Sequence, residues 1–589
     1  MTLPLPPITN PEWWKGPNSF RLIYLLLTIA TSVGTAWAVK RGAAPIAEWD
    51  EKSAVEGPAE RFLSASTIAA LSLVVLIFAG YATLVLKWED FADYDDSFFT
   101  LITLRGHNLQ PPVWPGSGRF FPLARQEFNL VRHFTRSVVG YHIVPISELL
   151  IVCCIVFLLE EALKYPARLA LIATLLLTPS IVISFTGLVF PEIDFVLWLT
   201  CLLLFVKLFE KRHATVWAVA AAVSAQNMVY YKETAFLLLL GFAVGRLFVR
   251  CRRKDGKGWD FDRLRDKESR LDFCFVCVAL LFVVYYAAVM MSHWNLRYSN
   301  LFGLSRGETL LYYLELDPLA VLLVAAVLYR FYLIVVRGAE PLPYWDGLAI
   351  GGVTCYAAYL YLRLCMPYYL APVDFIAVLY IGRLVIPSWE RMKWWHRAGV
   401  SAILCAVLSY NVTLSAFRVY ERENDLHAKA EIADAILVQA RKDATHVQTL
   451  FIPFSTSYII TQYAAYLTYR GIHVEGYDGA LRADAANQVT IARSDFTPDD
   501  PCNSYTDFVC HTKADPSAGD LIIELPDGPE SQSDIDRYTA GGERVFSYEP
   551  RPRVVQRISP WLPYLGVISY RWPAYPPDRW LKASVTIGK

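Results

Sequence analysis

Three aspartates, Asp93, Asp95 and Asp96, stand within four positions directly after the second long apolar stretch of the sequence. Neighbouring carboxylates repel one another and compete for protons, so such a cluster beside lipid needs a cation, a basic partner or a shifted pKa. A carboxylate in this position can act as a general base that deprotonates an acceptor hydroxyl. The alternative is a solvated helix start, where aspartate interacts favourably with the helix dipole.

A second acidic pair, Glu192 and Asp194, occupies a turn between two apolar stretches. Carboxylates two positions apart in an extended turn can point to one side and bind a hard divalent cation or a basic partner. The alternative is a helix start with both acids in the first turn.

A third motif, Lys232 and Glu233, interrupts an apolar hairpin. The lysine is suited to a phosphate as a compact point charge, or it pairs with Glu233 or with the second acidic pair.

Basic and aromatic residues accumulate in the loops that follow the same set of apolar stretches. Guanidinium groups bind phosphate through two hydrogen bonds and tolerate partial desolvation, which suits a site where a lipid phosphate leaves. Interfacial arginine and tyrosine also anchor helices in any membrane protein. The candidate donor-phosphate and lipid-binding residues are Lys232, His293, Arg297, Arg306, Arg363 and Tyr369.

The segments that must position these groups are too apolar for a soluble protein. Of the 589 residues, 55% are hydrophobic and 19% are charged, and soluble domains are usually about 25% charged. The zero formal net charge gives no support for nucleic-acid binding, which needs a basic face. About twelve runs approach the length of a membrane helix. They cover residues 20–39, 66–86, 143–159, 169–189, 195–208, 216–230, 235–248, 273–291, 320–336, 348–362, 371–384 and 400–417.

Orientation follows from the lysines and arginines, which are densest at residues 246–257 and mark the cytoplasmic side. The acidic loops then face outward, including the long loop at residues 88–142. We expect residues 1–65 to add an extra membrane helix and a cytoplasmic loop before the main bundle at residues 66–417. Residues 418–589 have the mixed pattern of a soluble α/β domain. In that domain Cys502 and Cys510 form a disulfide candidate if the compartment is oxidising; the alternative is two buried thiols.

Together these features resemble the GT-C superfamily of membrane glycosyltransferases over about residues 66–417. Members of that superfamily have a bundle of membrane helices, a catalytic acid at the start of the first long outer loop and often a second acidic motif in the next outer loop. The resemblance implies that Asp95 or Asp96 is the catalytic base, with Glu192 and Asp194 as the second acidic motif. The candidate supporting residues are Asp93, Arg119, Glu127 and Glu233.

The predicted fold is therefore an α-helical polytopic membrane protein, a GT-C-like bundle of about twelve transmembrane helices, followed by a soluble α/β domain. The resemblance implies inverting transfer of a sugar from a polyprenyl-phosphate donor to a glycan, lipid or protein acceptor. It places the protein among the lipids of a bacterial inner membrane, with its active site and C-terminal domain in the periplasm. The run Asp95-Asp96-Ser97 is similar to the motif of arabinofuranosyltransferases that use polyprenyl-phosphate arabinose, so arabinose is one candidate sugar.

Some members of the superfamily use a divalent metal, so Mg, Mn or Ca is a candidate cofactor, with Asp95, Asp96, Glu192 and Asp194 as candidate ligands. No nucleotide is expected, because the sequence has no phosphate-cradling glycine loop. Two other functions compete with this prediction. An O-antigen polymerase or ligase also handles lipid-linked sugars but relies chiefly on arginines. A secondary transporter places charges near the membrane midplane on broken helices.

Overall fold

The computed structural model describes residues 17–42, 65–92, 96, 103–104, 106–114, 119–252, 258–290, 305–364, 366–442, 447–453, 457–475, 488–493, 511–512, 515–526, 532–550 and 583–589. Six of the predicted site residues lie outside these ranges: Asp93, Asp95, His293, Arg297, Cys502 and Cys510.

Helices dominate the chain as far as residue 442. They are α1 (Pro17–Lys40), α2 (Ala65–Trp88), α3 (Phe128–Val131), α4 (Val138–Leu159), α5 (Tyr165–Leu176), α6 (Pro179–Thr186), α7 (Glu192–Arg212), α8 (Thr215–Tyr231), α9 (Ala235–Arg250), α10 (Lys267–Met290), α11 (Arg306–Leu316), α12 (Pro318–Val335), α13 (Pro343–Leu362), α14 (Ala371–Ser388) and α15 (Trp394–Lys442). Each of the apolar runs found in the sequence lies largely on one of these helices, or on the pair α5 and α6. The helical prediction for these runs is thus confirmed.

Seven described helices are long and apolar enough to cross a membrane: α1, α2, α4, α10, α12, α14 with its flanking 3-10 turns, and α15. The pair α5 and α6 adds an eighth if it counts as one bent span. The helices α8 and α9 have only 17 and 16 residues, fewer than the roughly 20 that a bilayer core requires. A count of about twelve spans therefore stays a prediction.

The run at residues 169–189 is broken, with α5 and α6 bent by 65°. Pro179 begins α6, and proline cannot continue a helix because it lacks an N–H and clashes with the preceding turn. The backbone carbonyl of Leu177, released by the break, accepts a hydrogen bond of 2.7 Å from the Ser415 hydroxyl on α15. The break is therefore supported by a neighbouring helix.

The tight contact between α9 and α13 depends on glycine. Gly241 and Gly245 on α9 face Gly351 and Gly347 on α13, and a Cβ atom at Gly351 would lie 2.8 Å from the Leu238 carbonyl oxygen. Small residues four apart allow two membrane helices to approach this closely. Because the two helices run antiparallel, the start of α9 lies beside the end of α13.

A seven-stranded sheet follows the helices, with α16 (Ser457–Tyr469) and α17 (Gln532–Thr539) between its strands. Its strands are β3 (Gln448–Ile452), β4 (His473–Val474), β5 (Gln488–Arg493), β6 (His511–Thr512), β7 (Leu521–Glu524), β8 (Glu543–Tyr548) and β9 (Ala583–Ile587), in the order β4-β5-β3-β7-β9-β8 with β6 on β5. Strands β3 to β7 pair in parallel, whereas β9 is antiparallel to both β7 and β8. A short hairpin of β1 (Val113–Trp114) and β2 (Arg119–Phe120) lies in the long loop after α2.

The sheet region shares a hydrophobic core with the loops at one end of the helix bundle. Phe91, Tyr141 and Leu188 from the bundle belong to the same buried cluster as Ile432 on α15 and Ile460 on α16. The predicted boundary between residues 417 and 418 falls inside α15, which continues for 49 residues from the bundle to the sheet. The hydropathy falls at that point, but the helical hydrogen bonding continues.

Candidate active site

Of the predicted acids, Asp96, Glu192 and Asp194 are described, and they lie at one end of the bundle, where α2 ends and where α7 and α9 begin. Asp96 is fully buried there. Its Oδ1 accepts a hydrogen bond of 2.9 Å from the backbone N–H of Leu188, which is 92 positions away in the chain. Leu188 lies in the turn that leads to Glu192, so the structure brings Asp96 to the turn that precedes the second acidic motif. We call this region the acidic end.

The second carboxylate oxygen of Asp96 accepts a hydrogen bond of 3.0 Å from Arg422. The same guanidinium donates to Glu89 Oε2 at 3.1 Å, and that oxygen lies 3.5 Å from Nε2 of the buried His142. The sequence analysis did not identify Glu89, His142 or Arg422. The sequence signal was a charged stretch after the last apolar run, but nothing in it indicated which acid Arg422 would meet.

Glu192 and Lys232 form an ion pair in the interior, with 2.6 Å between Oε1 and Nζ and side chains that are 0% and 2% exposed. The Lys232 ammonium also lies 4.3 Å from the centre of the Tyr369 ring, in the range of a cation–π contact. Tyr369 stacks on Tyr359, whose hydroxyl is 3.1 Å from the Thr234 hydroxyl. The structure thus shows Lys232 paired with the second acidic motif, and a phosphate at Lys232 stays a prediction.

Local structure explains how Glu192 and Asp194 reach this place. They occupy the first turn of α7, where acidic side chains interact favourably with the helix dipole. The structure thus confirms that these acids start a helix and do not lie in an extended turn. Both side chains are buried, and the two residues point to different neighbours, since only Glu192 pairs with Lys232.

Asp194 belongs to a group of carboxyls with Glu127 and Glu148, which lie close enough to repel it electrostatically. The hydroxyl of Tyr231 donates a hydrogen bond to Asp194. Glu127 Oε2 is buried and has no hydrogen-bond partner among the described residues. Burial raises the pKa of Glu127 to about 7. Glu148 was missed by the sequence analysis, although a single acid inside an apolar run is a recognisable signal.

The long loop is fastened to the acidic end by its arginines. Arg119 forms an ion pair of 2.6 Å with Glu233 and lies over the Phe121 ring, 4.8 Å from its centre. Arg125 donates a hydrogen bond of 2.9 Å to the Val189 carbonyl oxygen, beside the Asp96 contact. The candidate supporting residues Arg119, Glu127 and Glu233 therefore all lie at this end of the bundle.

Two of the predicted phosphate-binding residues, Arg306 and Arg363, come later in the chain. Arg306 is exposed at the start of α11 and stacks over the Tyr361 ring at 4.9 Å, which resembles an interfacial anchor. Arg363 ends α13 in a left-handed conformation, with φ of 56°, and is half-buried. The structure thus gathers Asp96, the second acidic motif, Lys232 and Tyr369, and leaves Arg306 at an exposed edge.

Within the described part of the chain, no group of three or more His, Cys, Asp or Glu side chains is placed to hold a metal ion. Asp96 and Glu192 have cationic side chains as partners instead. A divalent cation bound by Asp95, Asp96, Glu192 and Asp194 stays a prediction.

No protein-family model matches this chain, and no curated protein matches it either. The chemistry of the acidic end is therefore inferred from the groups that lie there. It combines buried carboxylates, a buried ammonium over a tyrosine ring, and the Glu127 carboxyl, whose pKa burial raises to about 7. Such a set can hold an anionic group on one side and accept a proton on the other.

Proposed function

We propose that the protein is a membrane glycosyltransferase that moves a sugar from polyprenyl phosphate to a glycan, lipid or protein acceptor on the periplasmic face of a bacterial inner membrane. One observation carries the proposal: at one end of an apolar bundle, Asp96 is bonded to the turn that leads to Glu192, and Glu192 is paired with Lys232 from a third segment. Ionisable groups at membrane depth are costly and mark functional sites by default. A donor with a lipid chain and an anionic phosphate can reach such groups from within the membrane.

On the donor side, we assign the lipid phosphate to Lys232. A phosphate that competes with Glu192 for the Lys232 ammonium would keep the positive charge of the ammonium compensated in the interior. The ammonium would in turn stabilise the negative charge of the leaving phosphate. The Tyr369 ring beside Lys232, together with Tyr368 packed at 4.5 Å on Phe190, offers an aromatic wall for the sugar or the first isoprene units. The rest of the lipid chain lies between helices in this proposal.

On the acceptor side, a carboxylate takes the proton of the acceptor hydroxyl while that oxygen attacks the anomeric carbon from the side opposite the lipid phosphate. The bond from the anomeric carbon to the phosphate oxygen breaks in the same displacement, which inverts the anomeric carbon. Asp95 and Asp96 are the proposed bases. Both oxygens of Asp96 are engaged, by Arg422 and by the Leu188 amide, and each carboxylate oxygen keeps a second lone pair that can accept a proton. Glu127 is a third candidate, because its pKa of about 7 lies where a general base works best near neutral pH.

An O-antigen polymerase or ligase is a weaker alternative, since two of the arginines at the acidic end are paired with acids. Arg119 is paired with Glu233, and Arg422 with Glu89 and Asp96.

A secondary transporter has one observation in its favour. Beside the broken pair α5 and α6, the Ser180 hydroxyl donates a hydrogen bond of 2.5 Å to the buried Asp374; broken helices with buried acids are typical of ion-coupled transporters.

The test is transfer from a panel of polyprenyl-phosphate sugars, including arabinose, by the purified protein in lipid nanodiscs. We expect Asp95→Asn or Asp96→Asn to abolish transfer, and Glu127→Gln to do so if Glu127 is the base. Asp262→Asn is the control, because Asp262 has an 85% exposed side chain in the basic loop region. Wild-type rates in all three acid variants would remove the catalytic assignment. Solute uptake into proteoliposomes that is lost in Asp374→Asn, without any sugar transfer, would favour the transporter.

A further inference from the structure

The cation that meets Asp96 comes from a distant part of the chain. Arg422 lies in the second half of α15, beyond the apolar part and before the sheet region. It is 326 positions from Asp96. Because α15 is one continuous helix, the position of Arg422 is fixed at one end by the bundle and at the other by the sheet. Any movement of the sheet relative to the bundle would therefore change the surroundings of Asp96.

Arg422 holds two acids from the segment after α2. Its Nη2 donates to both Glu89 Oε2 and Asp96 Oδ2, at 3.1 and 3.0 Å. The acidic side chains are 4% and 1% exposed, and Arg422 is 16% exposed. The imidazole of His142 also faces Glu89, at 3.5 Å. Loss of the guanidinium would leave two buried carboxylates near each other, which costs far more than the loss of a surface pair.

The neighbouring residues are attached to the same part of the chain. Asp90 accepts a hydrogen bond of 2.7 Å from the Tyr466 hydroxyl and lies 3.6 Å from Arg470, both on or just after α16. The ring of Phe91 packs edge-on against Tyr469, with 5.1 Å between centres. Three consecutive residues that lead towards the aspartate cluster are thus held by α15 and α16. The sheet region is built into this segment through polar and apolar contacts.

We propose that Arg422 is a positioning residue for the Asp96 carboxylate, and that the C-terminal region is therefore part of the site and not a separate cap. What Asp96 does rests on the proposed function, whereas the contact itself does not. The guanidinium donates to one Asp96 oxygen and the Leu188 amide donates to the other, so the carboxylate is held from both sides. A fixed carboxylate matters because misplacement of a catalytic group by about 1 Å can cost about a hundredfold in rate.

The experiment compares Arg422→Gln, Arg422→Lys and the double variant Glu89→Gln/Arg422→Gln for kcat, donor KM and apparent Tm in nanodiscs. We expect Arg422→Gln to lower both Tm and kcat, with a loss in kcat of about a hundredfold and little change in KM. The double variant removes one of the two uncompensated acids, so it recovers Tm but not kcat. Arg422→Lys keeps the charge and recovers part of both. Arg537→Gln, which removes an exposed pair with Asp515 in the sheet region, keeps the wild-type kcat.

Two results would overturn the inference: an unchanged kcat in Arg422→Gln, or recovery of both Tm and kcat in the double variant, which would reduce Arg422 to charge balance. If Arg422→Gln does not accumulate, the lysine and double variants decide in the same way. If the wild type transfers no sugar at all, the proposed function fails. The contact is then tested by the Tm cycle of Arg422→Gln with Asp96→Asn, and additive shifts in that cycle would refute it.

Discussion

Replacement of Lys232 by methionine tests the ion pair on which the donor side of the site depends. The ammonium is 2.6 Å from Glu192, and the two side chains are 2% and 0% exposed. Methionine keeps much of the aliphatic length but removes the charge. The Glu192 carboxylate would then stay in the interior without its cation, and the cation–π contact with Tyr369 would also be lost.

The expected cost follows from this burial. Removal of one partner from a buried ion pair costs about 3–5 kcal/mol, because the remaining charge is uncompensated. At roughly 2 °C per kcal/mol for a large chain, the apparent Tm should fall by about 6–10 °C. The double variant Lys232→Met/Glu192→Gln should recover most of this loss, because a neutral amide replaces the uncompensated charge.

The assay is intrinsic-fluorescence unfolding in nanodiscs at one fixed scan rate, since large membrane proteins unfold irreversibly. The control is Lys211→Met, which removes a pair of 2.5 Å with Glu161 whose side chains are 46% and 40% exposed. An exposed pair of this kind contributes under about 1 kcal/mol. The reasoning is refuted if Lys232→Met is no worse than Lys211→Met, or if the double variant is as unstable as the single one.

Two further predictions concern other buried acids. Burial raises the pKa of Glu127 from 4.5 to about 7, so the folded protein binds this proton more tightly than the unfolded chain, and stability should fall as the pH rises from about 4.5 to about 7. Glu127→Gln should flatten that part of the Tm–pH curve; an unchanged slope would contradict the assignment. The buried carboxylate of Asp374 accepts a hydrogen bond of 2.5 Å from the Ser180 hydroxyl. Asp374→Asn keeps an oxygen that can accept this bond and should be tolerated, whereas Asp374→Leu leaves the hydroxyl without its partner and should lower Tm by the equivalent of about 1–3 kcal/mol; equal losses in both variants would contradict this prediction.

The helices could be predicted from the sequence because each apolar run carries its own signal. A run such as residues 235–248 is helical for local reasons, since the backbone must satisfy its hydrogen bonds within the segment when lipid surrounds it. The break between α5 and α6 was present in the sequence as Pro179, but hydropathy alone joined both helices into one run. The end of the bundle at residue 417 was likewise set by hydropathy, and α15 continues past it.

The site could be predicted in part for the same reason. Asp96, Glu192 and Lys232 were identified because an ionisable residue beside an apolar run is unusual wherever it occurs. Their partners could not be identified in this way. Arg422 stands in an ordinary charged stretch, and His142 is a single histidine near a helix start, so nothing local separates them from solvated residues.

The sequence alone thus determined where the chain is apolar, where it is helical and which charges stand at the ends of its helices, since these depend on each segment and its solvent. Only the tertiary structure decided which charge compensates which. Arg422 meets Asp96 across 326 positions, and Lys232 meets Glu192 and not Glu233. Such pairing depends on helix packing and on the high energy of an unpaired charge in the interior, and both are properties of the whole fold.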